Sequence, residues 1–302
     1  MQHGTRNGYL AAAGTVAIWT GFILISRSGG KSDLTPYDIL ALRLGTATLA
    51  LVLFTKPLPA ALWRDGRLWL LALIGGVAYG LLAYMAFKTV PAAHGAILLP
   101  GLQPFLVALA ALLITGRRPN PARLWGFLVI GLGMALTAAP LLRNTPDSGV
   151  LEGDLLMLAA SASWAVFSVL AKNWSPGPWL LTRFMALASA LLYLPVYLFV
   201  LPKALDQVAV QTLVIQGLYQ GLGPTILAML LYVKAVESLG PARVGALLAL
   251  VPVLAGLIAV PLLGEPMTPW LAGGLLAVSS GAYLAARPNT LETGRTPCPT
   301  ST

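Results

Sequence analysis

Long apolar stretches without a single charged side chain fill most of this sequence. A helix needs about twenty apolar residues to cross the hydrocarbon core of a bilayer, and nine stretches approach or exceed that length. They are Asn7–Ser26, Leu68–Phe87, Thr89–Gly116, Leu124–Leu142, Leu155–Ala171, Phe184–Pro202, Gln207–Val233, Val244–Gly264 and Pro266–Ala286. A tenth span, Pro36–Phe54, is interrupted by Asp38 and Arg43. The pattern predicts an all-α, polytopic fold with ten membrane-spanning helices.

The second half of the chain repeats the first. The matched pairs, most of them at an offset of 148 residues, are Tyr84/Tyr232, Pro104/Pro252, Gly116/Gly264, Pro121/Pro269, Gly126/Gly274, Gly133/Gly281 and, at an offset of 145, Trp19/Trp164. Because Gly and Pro fix turns, bends and close contacts, their recurrence indicates that one architecture was built twice. Five spans per half is an odd number, which predicts that the second repeat is inverted relative to the first.

The repeat also predicts the domain organisation. Residues 1–149 form the first five-helix repeat, residues 150–288 form the second, inverted repeat, and residues 289–302 form a disordered cytoplasmic tail rich in Thr and Pro. The single cysteine, Cys298, lies in this tail, so no disulfide is expected. The first apolar stretch is too long for the core of a signal peptide, and we expect it to be retained.

Composition supports the membrane class. Of the 302 residues, 57% are apolar and only 10% are charged, and the mean hydropathy is +0.80. A soluble domain carries about a quarter of its residues as charged side chains. The composition therefore predicts an integral membrane protein that is surrounded by the lipid bilayer.

The net charge of +9 follows membrane topology rather than a nucleic acid partner. With the N-terminus inside, twelve Lys and Arg residues outside the spans fall on the cytoplasmic side and five on the other. The cytoplasmic set is Arg6, Lys56, Arg64, Arg67, Arg117, Arg118, Arg123, Lys172, Lys234, Arg243, Arg287 and Arg295, and the opposite set is Arg27, Lys31, Lys88, Arg143 and Lys203. This asymmetry is the positive-inside signature. It predicts that both termini are cytoplasmic and that no nucleic acid is bound.

Two tryptophans occupy equivalent places deep in the membrane. Trp19 lies eight residues before Arg27, and Trp164 lies eight residues before Lys172. At 1.5 Å per residue, each indole is about 12 Å below a charged helix end and close to the bilayer midplane. We expect both to line a substrate cavity, although packing against lipid or other helices is the alternative. Further mid-span residues with polar tips complete the predicted substrate-binding set: Tyr79, Gln103, Tyr219 and Gln220.

Two arginines lie inside spans, where a charge is costly. Arg43 is about two turns into the second helix and Arg183 about as far into the seventh. Either side chain could snorkel to the surface. The alternative is a tethering contact to carbonyls at the ends of neighbouring helices, which would give the arginines a structural or gating role.

Proline and glycine complete the predicted structural and gating set. Pro104 and Pro252 each remove a backbone hydrogen bond and should bend helices four and nine. Two Gly-x-x-x-Gly pairs have the spacing that lets membrane helices touch closely. They are Gly76/Gly80 on helix three and Gly217/Gly221 on helix eight.

The sequence offers nothing that suggests catalysis. It has no Gly-x-Ser-x-Gly, no His-Glu-x-x-His, no phosphate-binding loop and no His/Cys cluster. We therefore expect no enzyme activity, no catalytic residue, no metal and no cofactor.

Several motifs resemble the EamA repeats of the drug/metabolite transporter superfamily. The first repeat has Pro91-Ala-Ala-His-Gly-Ala before Pro104, and the second has Leu239-Gly-Pro-Ala-Arg-Val-Gly-Ala before Pro252. Leu263-Gly264-Glu265-Pro266 follows in the second repeat, whereas the first departs from this pattern with Thr115-Gly116-Arg117-Arg118-Pro119. Within the superfamily the chain is similar to the YddG-type exporters of aromatic amino acids.

The resemblance implies an exporter in a bacterial inner membrane, working by alternating access at a midplane cavity between the repeats. Its substrates would be aromatic amino acids and other amphipathic metabolites or organic cations, with Trp19 and Trp164 in the aromatic site. Another small metabolite of the same superfamily and a passive channel are the alternatives, although a channel would need a continuous polar stripe. Because no Asp, Glu or His lies at mid-depth, we expect facilitated rather than proton-relayed export. The oligomeric state is left open, and a monomer fits.

The charge asymmetry generates a topology prediction. A reporter that is active only in the periplasm, fused after Thr302, should be silent in cells, because the even number of spans returns the C-terminus to the cytoplasm. Strong reporter activity from this fusion would reverse the predicted orientation.

Overall fold

The computed structural model describes residues 2–143, 148–174 and 177–286, and these residues form helices and connecting turns without any strand. Ten helices of this described chain are long and apolar enough to cross a membrane, as predicted. In chain order they are α1 Thr5–Lys31, α2 Pro36–Phe54, α3 Gly66–Ala86, α4 Ala92–Thr115, α5 Pro121–Ala139, α6 Gly149–Trp174, α7 Pro178–Phe199, α8 Val210–Leu239, α9 Pro241–Leu263 and α10 Pro269–Ala286. The predicted tail with Cys298 lies outside the described residues.

Helix ends follow local sequence signals, some of which occur twice. The Thr35 hydroxyl accepts a bond from the Asp38 N–H while the Asp38 carboxylate accepts one from the Thr35 N–H, a capping box that starts α2. Gly116 ends α4 with φ of 67°, and its repeat partner Gly264 ends α9 with φ of 66°. Left-handed backbone of this kind favours glycine. The duplicated glycine therefore performs the same task in each repeat.

The central helices are interrupted where the prolines recur. In α4 a π-helical segment, Ile97–Gly101, precedes a new α-helix that carries Pro104 in its first turn. In α9 the helix breaks after Leu248 and resumes at Val251, with Pro252 in its first turn. Further π-helical segments occupy Ala72–Ala78 in α3 and Gly223–Leu227 in α8. Such segments mark functional sites in many helices.

The contacts between helices have the symmetry of an inverted repeat. The first helix of one repeat packs against the third and fourth helices of the other, so that α1 contacts α8 and α9 while α6 contacts α3 and α4. The second and third helices also cross between repeats, since α2 contacts α7 and α8 while α3 contacts α7. The pairs α4 with α9 and α5 with α10 complete the main contacts between the repeats. Two five-helix repeats therefore interlock along their length.

Glycines from the repeat form the seam between α5 and α10. A Cβ atom on Gly126 would lie 2.6 Å from the Ala285 nitrogen and 2.7 Å from the Gly281 oxygen, and one on Gly281 would lie 2.6 Å from the Gly126 oxygen. Gly133 meets the Gly274 backbone in the same way, at 2.8 Å. Each glycine thus packs against the copy of its neighbour in the other repeat, in an antiparallel pair that only small residues permit.

This seam can be tested with a single methyl group. Gly126→Ala places a Cβ against fixed backbone, and overpacking of this kind costs about 1–3 kcal/mol. We expect a lower midpoint of thermal unfolding in detergent. Gly131→Ala is the matched control, because nothing lies within 4 Å of its Cβ position on the same helix. Equal unfolding midpoints for the two variants would contradict the close seam.

Candidate functional site

Arg43 lies at the centre of a polar network deep in the bundle. Its Nε donates to the Thr225 Oγ1 at 3.1 Å and its NH1 donates to the Tyr84 hydroxyl at 3.3 Å. The guanidinium also lies over the Phe22 ring, 5.7 Å from its centroid. These contacts come from α1, α3 and α8, so the side chain points into the bundle and does not snorkel to the surface. The side chain is nevertheless partly exposed.

A proline explains why Thr225 is available to Arg43. Pro224 has no N–H and cannot donate to the carbonyl of Gln220, four residues earlier. The Thr225 hydroxyl donates to that carbonyl instead, at 2.9 Å. Its oxygen then accepts the bond from Arg43. The backbone hydrogen bond that Pro224 removes from α8 thus leads to a hydroxyl contact with Arg43.

A chain of hydrogen bonds continues from Arg43 to α1. The Tyr84 hydroxyl donates to the Gln220 Oε1 at 3.2 Å, and the Gln220 Nε2 donates to the Ser26 Oγ at 3.0 Å. One turn away on α8, the Gln216 Nε2 donates to the carbonyl of Ile25 at 2.8 Å. Tyr84, Gln220 and Ser26 are fully buried, so the network orders four helices from both repeats.

The two predicted tryptophans each pack against a tyrosine. Trp164 lies 4.8 Å from Tyr79 between ring centroids, and Trp19 is stacked on Tyr232 at 5.9 Å. All four rings are only partly buried. Tyr79 also interacts electrostatically with Arg43. The structure therefore connects one of the two predicted aromatic pairs electrostatically with the network around Arg43.

Two predicted substrate residues lie apart from this network and join helices instead. Gln103 donates from Nε2 to the carbonyl and the hydroxyl of Ser161, at 3.0 and 2.9 Å, tying α4 to α6. Its Oε1 atom is buried without a hydrogen bond. Tyr219 donates to the carbonyl of Ile18 at 3.0 Å, tying α8 to α1. A role in substrate contact stays a prediction for both.

Three of the four paired glycines lie where helices of different repeats meet, and Gly80 lies where α3 meets α2 of its own repeat. Gly76 faces the Ser189 hydroxyl of α7. Cβ atoms on Gly80 and Gly221 would lie 2.7 Å from Leu40 and Thr46 of α2, respectively. Gly217, one turn earlier than Gly221, also faces Thr46. These small residues bring the third and eighth helices against α2 and α7.

Arg183 is held differently from its repeat counterpart Arg43. It is buried, with 8% of its surface exposed, and its NH2 donates to the carbonyl of Lys56 just beyond the end of α2. This is the tethering contact proposed for the arginines as an alternative to snorkelling. It fits Arg183 and not Arg43, whose described partners are hydroxyl groups.

Ion pairs join the two repeats at one end of the bundle, which we call the Glu265 end. Arg27 at the end of α1 pairs with Glu265 at 2.6 Å, and the same carboxylate accepts the Ala92 N–H of α4 at 2.7 Å. His94 of α4 contacts Asp154 of α6 at 3.1 Å. Both ion pairs found among residues 2–143, 148–174 and 177–286 lie at this end, and the second is an ion pair when His94 is protonated.

Lysines add carbonyl contacts at the Glu265 end. The Lys31 ammonium donates to the carbonyl of Leu263 at 2.7 Å, and the Lys88 ammonium donates to the carbonyls of Ser32 and Leu34 at 2.9 and 3.1 Å. Burial lowers the pKa of the Lys88 ammonium, an effect that nearby Asp33 opposes and Arg27 reinforces. The Lys31 contact joins the two repeats, and the Lys88 contacts join two turns of the first repeat.

Sequence reasoning missed several members of the network. Ser26 and Thr225 carry no signal that separates them from other small polar residues in membrane helices. Tyr84 and Tyr232 do carry one, since they match in the repeat. The first contacts Arg43 and the second stacks on Trp19. Duplicated polar residues, and not only duplicated Gly and Pro, thus mark this site.

Comparisons with known proteins agree with this architecture. The threonine/homoserine exporter RhtA of Escherichia coli K12 is 31% identical over 258 residues, which are 82% of each chain. The uncharacterized protein PA1977 of Pseudomonas aeruginosa is 30% identical over 263 residues, or 85% of each chain. One solved protein structure has a TM-score of 0.64 and 22% identity, covering 97% of this chain and 100% of the other, which shows the fold alone.

The family comparison covers both repeats separately. The sequence model of the EamA-like transporter family matches residues 6–139 and again residues 151–287. Those two matches correspond to the two interlocked five-helix units of the structure. With ten membrane-spanning helices arranged in this way, the chain belongs to the EamA-like transporter family and is a multi-pass membrane transporter.

Proposed function

We propose that this protein exports neutral amino acids across a bacterial inner membrane by alternating access, with aromatic amino acids preferred. The observation that carries the aromatic preference is the pair of partly buried tryptophans, Trp19 and Trp164, each beside a tyrosine ring. Offset or tilted aromatic contacts contribute about 0.5–1.5 kcal/mol per pair beyond area burial. A substrate ring would add a further aromatic contact to these pairs.

Alternating access is supported by the difference between the two ends of the bundle. At the Glu265 end both described ion pairs join helices of different repeats. The position that matches Glu265 in the first repeat is Arg117, which is exposed. Its positive charge cannot form an ion pair with another arginine. Opening the Glu265 end would require the breaking of these pairs, while the opposite end lacks this carboxylate. The structure is thus consistent with a state closed at the Glu265 end.

A second candidate is the export of small hydroxylated amino acids. It is favoured by the 31% identity to a threonine/homoserine exporter. The hydroxyl and amide groups around Arg43 would suit such a side chain as well as a backbone carboxylate. Both candidates share the amino acid backbone and differ in what contacts the side chain.

Counterflow in liposomes separates the candidates. Vesicles loaded with one unlabelled amino acid are given labelled tryptophan, phenylalanine, threonine or homoserine outside. We expect exchange of the aromatic pair to be fastest. Exchange confined to threonine and homoserine would replace the aromatic preference with the second candidate. Exchange of none of a full amino acid panel would overturn the proposed function.

The tryptophans themselves provide a sharper test. Trp19→Ala and Trp164→Ala should each lower transport of tryptophan and phenylalanine about fivefold at equal amounts of folded protein, because one stacking partner worth about 1 kcal/mol is lost. Trp125→Ala is the matched control, since its indole is 73% exposed on α5. Unchanged aromatic transport in both site variants would assign these residues to packing.

We also predict facilitated export driven by the substrate gradient. In proteoliposomes, an imposed proton gradient should leave the plateau of substrate accumulation at equilibrium, because the described spans have no carboxylate at mid-depth to relay protons. Accumulation above equilibrium that collapses with a protonophore would contradict this. It would direct attention to His94 and Glu265, which form the ion pairs at the Glu265 end.

A further inference from the structure

We propose that Arg43 binds the substrate carboxylate. This inference rests on the proposed function, because it assigns one group of the amino acid to one residue of the site. Sequence reasoning had placed Arg43 among structural and gating residues. The structure shows it in contact with neutral groups from three other helices, α1, α3 and α8.

The charge of Arg43 has no counter-ion in the described structure. Of the ion pairs there, one belongs to Arg27 and the other to His94. The acid nearest in sequence, Asp38, is fully buried and accepts bonds from Tyr197, the Ala204 N–H and its own capping box. Removal of a charge from water without a partner is expensive, so such a residue inside a span marks a functional site.

The comparison with other arginines sharpens the assignment. Arg27 has a carboxylate partner. Arg183 donates to a backbone carbonyl just beyond the end of α2, although its Nε atom is buried without a hydrogen bond. Both contacts tie helices of different repeats together. Arg43 instead donates to two hydroxyl groups, which also serve as donors to Gln220. Those hydroxyls position the guanidinium and leave its charge uncompensated.

The guanidinium retains donors for a ligand. An arginine has five N–H groups in a planar fork, and the described bonds use Nε and one terminal nitrogen. The side chain is only partly buried although its surroundings are internal. A carboxylate accepts paired N–H groups from such a fork, in the strongest class of hydrogen bond that proteins form.

The neighbourhood also places the rest of an amino acid. Tyr79, in electrostatic range of Arg43, contacts Trp164. Phe22 lies beneath the guanidinium, and Trp19 is one turn away from Phe22 on α1. A substrate with its carboxylate on Arg43 would therefore meet aromatic faces, which can accept either an ammonium group or a side chain.

The first test compares ligands on the wild-type protein, so it needs no variant to fold. Binding is measured as the shift in thermal unfolding of detergent-purified protein with amino acids, their amides and their methyl esters. We expect each neutral derivative to bind at least tenfold more weakly than its parent acid, because it lacks the anionic partner for Arg43. Equal affinity for acid and amide would overturn the inference.

The second test compares variants. Arg43→Gln should raise the KM for amino acids at least tenfold and abolish the preference for acid over amide, while Arg43→Lys should retain part of that preference because the charge remains. Arg118→Gln removes the same charge from an exposed loop and should change neither quantity. An unchanged acid preference in folded Arg43→Gln protein would overturn the assignment.

The proposed function and this inference fail in different ways. If wild-type protein exchanged no amino acid in counterflow, only the proposed function would be overturned. The inference about Arg43 would then be tested in the thermal unfolding assay with carboxylates that carry no amino group. If none of them stabilised the protein, the inference would be overturned as well. Wild-type protein that transports amino acids but binds their amides equally well would support the proposed function. It would overturn only the assignment of Arg43 to the substrate carboxylate.

Discussion

A proline inside a membrane helix leaves a carbonyl that lipid cannot satisfy, and much of this structure depends on how that constraint is met. An unsatisfied backbone group costs several kcal/mol in the hydrocarbon core. In α8, Pro224 frees the Gln220 carbonyl, and the Thr225 hydroxyl satisfies it while accepting a bond from Arg43. In α4 and α9, breaks at Pro104 and Pro252 leave irregular backbone in the bundle interior. Irregular backbone at membrane depth is tolerated where it lines protein or a cavity.

The repeat was duplicated as an architecture and then diverged in its chemistry. Gly126 meets Gly281, the copy of Gly133, and Gly133 meets Gly274, the copy of Gly126. Gly116 and Gly264 end equivalent helices with nearly equal φ angles. Charged residues at equivalent positions, by contrast, differ between the repeats. Glu265 fastens the repeats at one end, whereas Arg117 occupies its counterpart at the other. If the protein works by alternating access as proposed, identical ion pairs at both ends would resist opening at both, and a carboxylate at one end only would bias which end opens.

The sequence predicted the fold because hydrophobicity and backbone constraints are local properties. Ten apolar stretches predict ten helices. The recurrence of Gly and Pro in register predicts that these helices form two inverted units. The apolar stretch Leu155–Ala171 was too short for the sixth helix, since α-helix begins at Ser148 and extends to Trp174. Apolar residues next to a polar turn do not show where a helix ends. The partners of Arg43 were not predictable, because they come from α1, α3 and α8, and helix rotation decides which face of each meets the others.

The sign of the charge in the network restricts which substrates the site would accept. Two like unit charges about 4 Å apart repel by about 4 kcal/mol at an effective dielectric constant near 20. An organic cation near Arg43 would meet that repulsion without compensation, although the tryptophan faces alone would attract it. A zwitterion carries its own anion to the guanidinium and its cation to the rings. If Arg43 holds the carboxylate, the aromatic pairs and the arginine together favour amino acids over the organic cations that the aromatic residues alone would suggest.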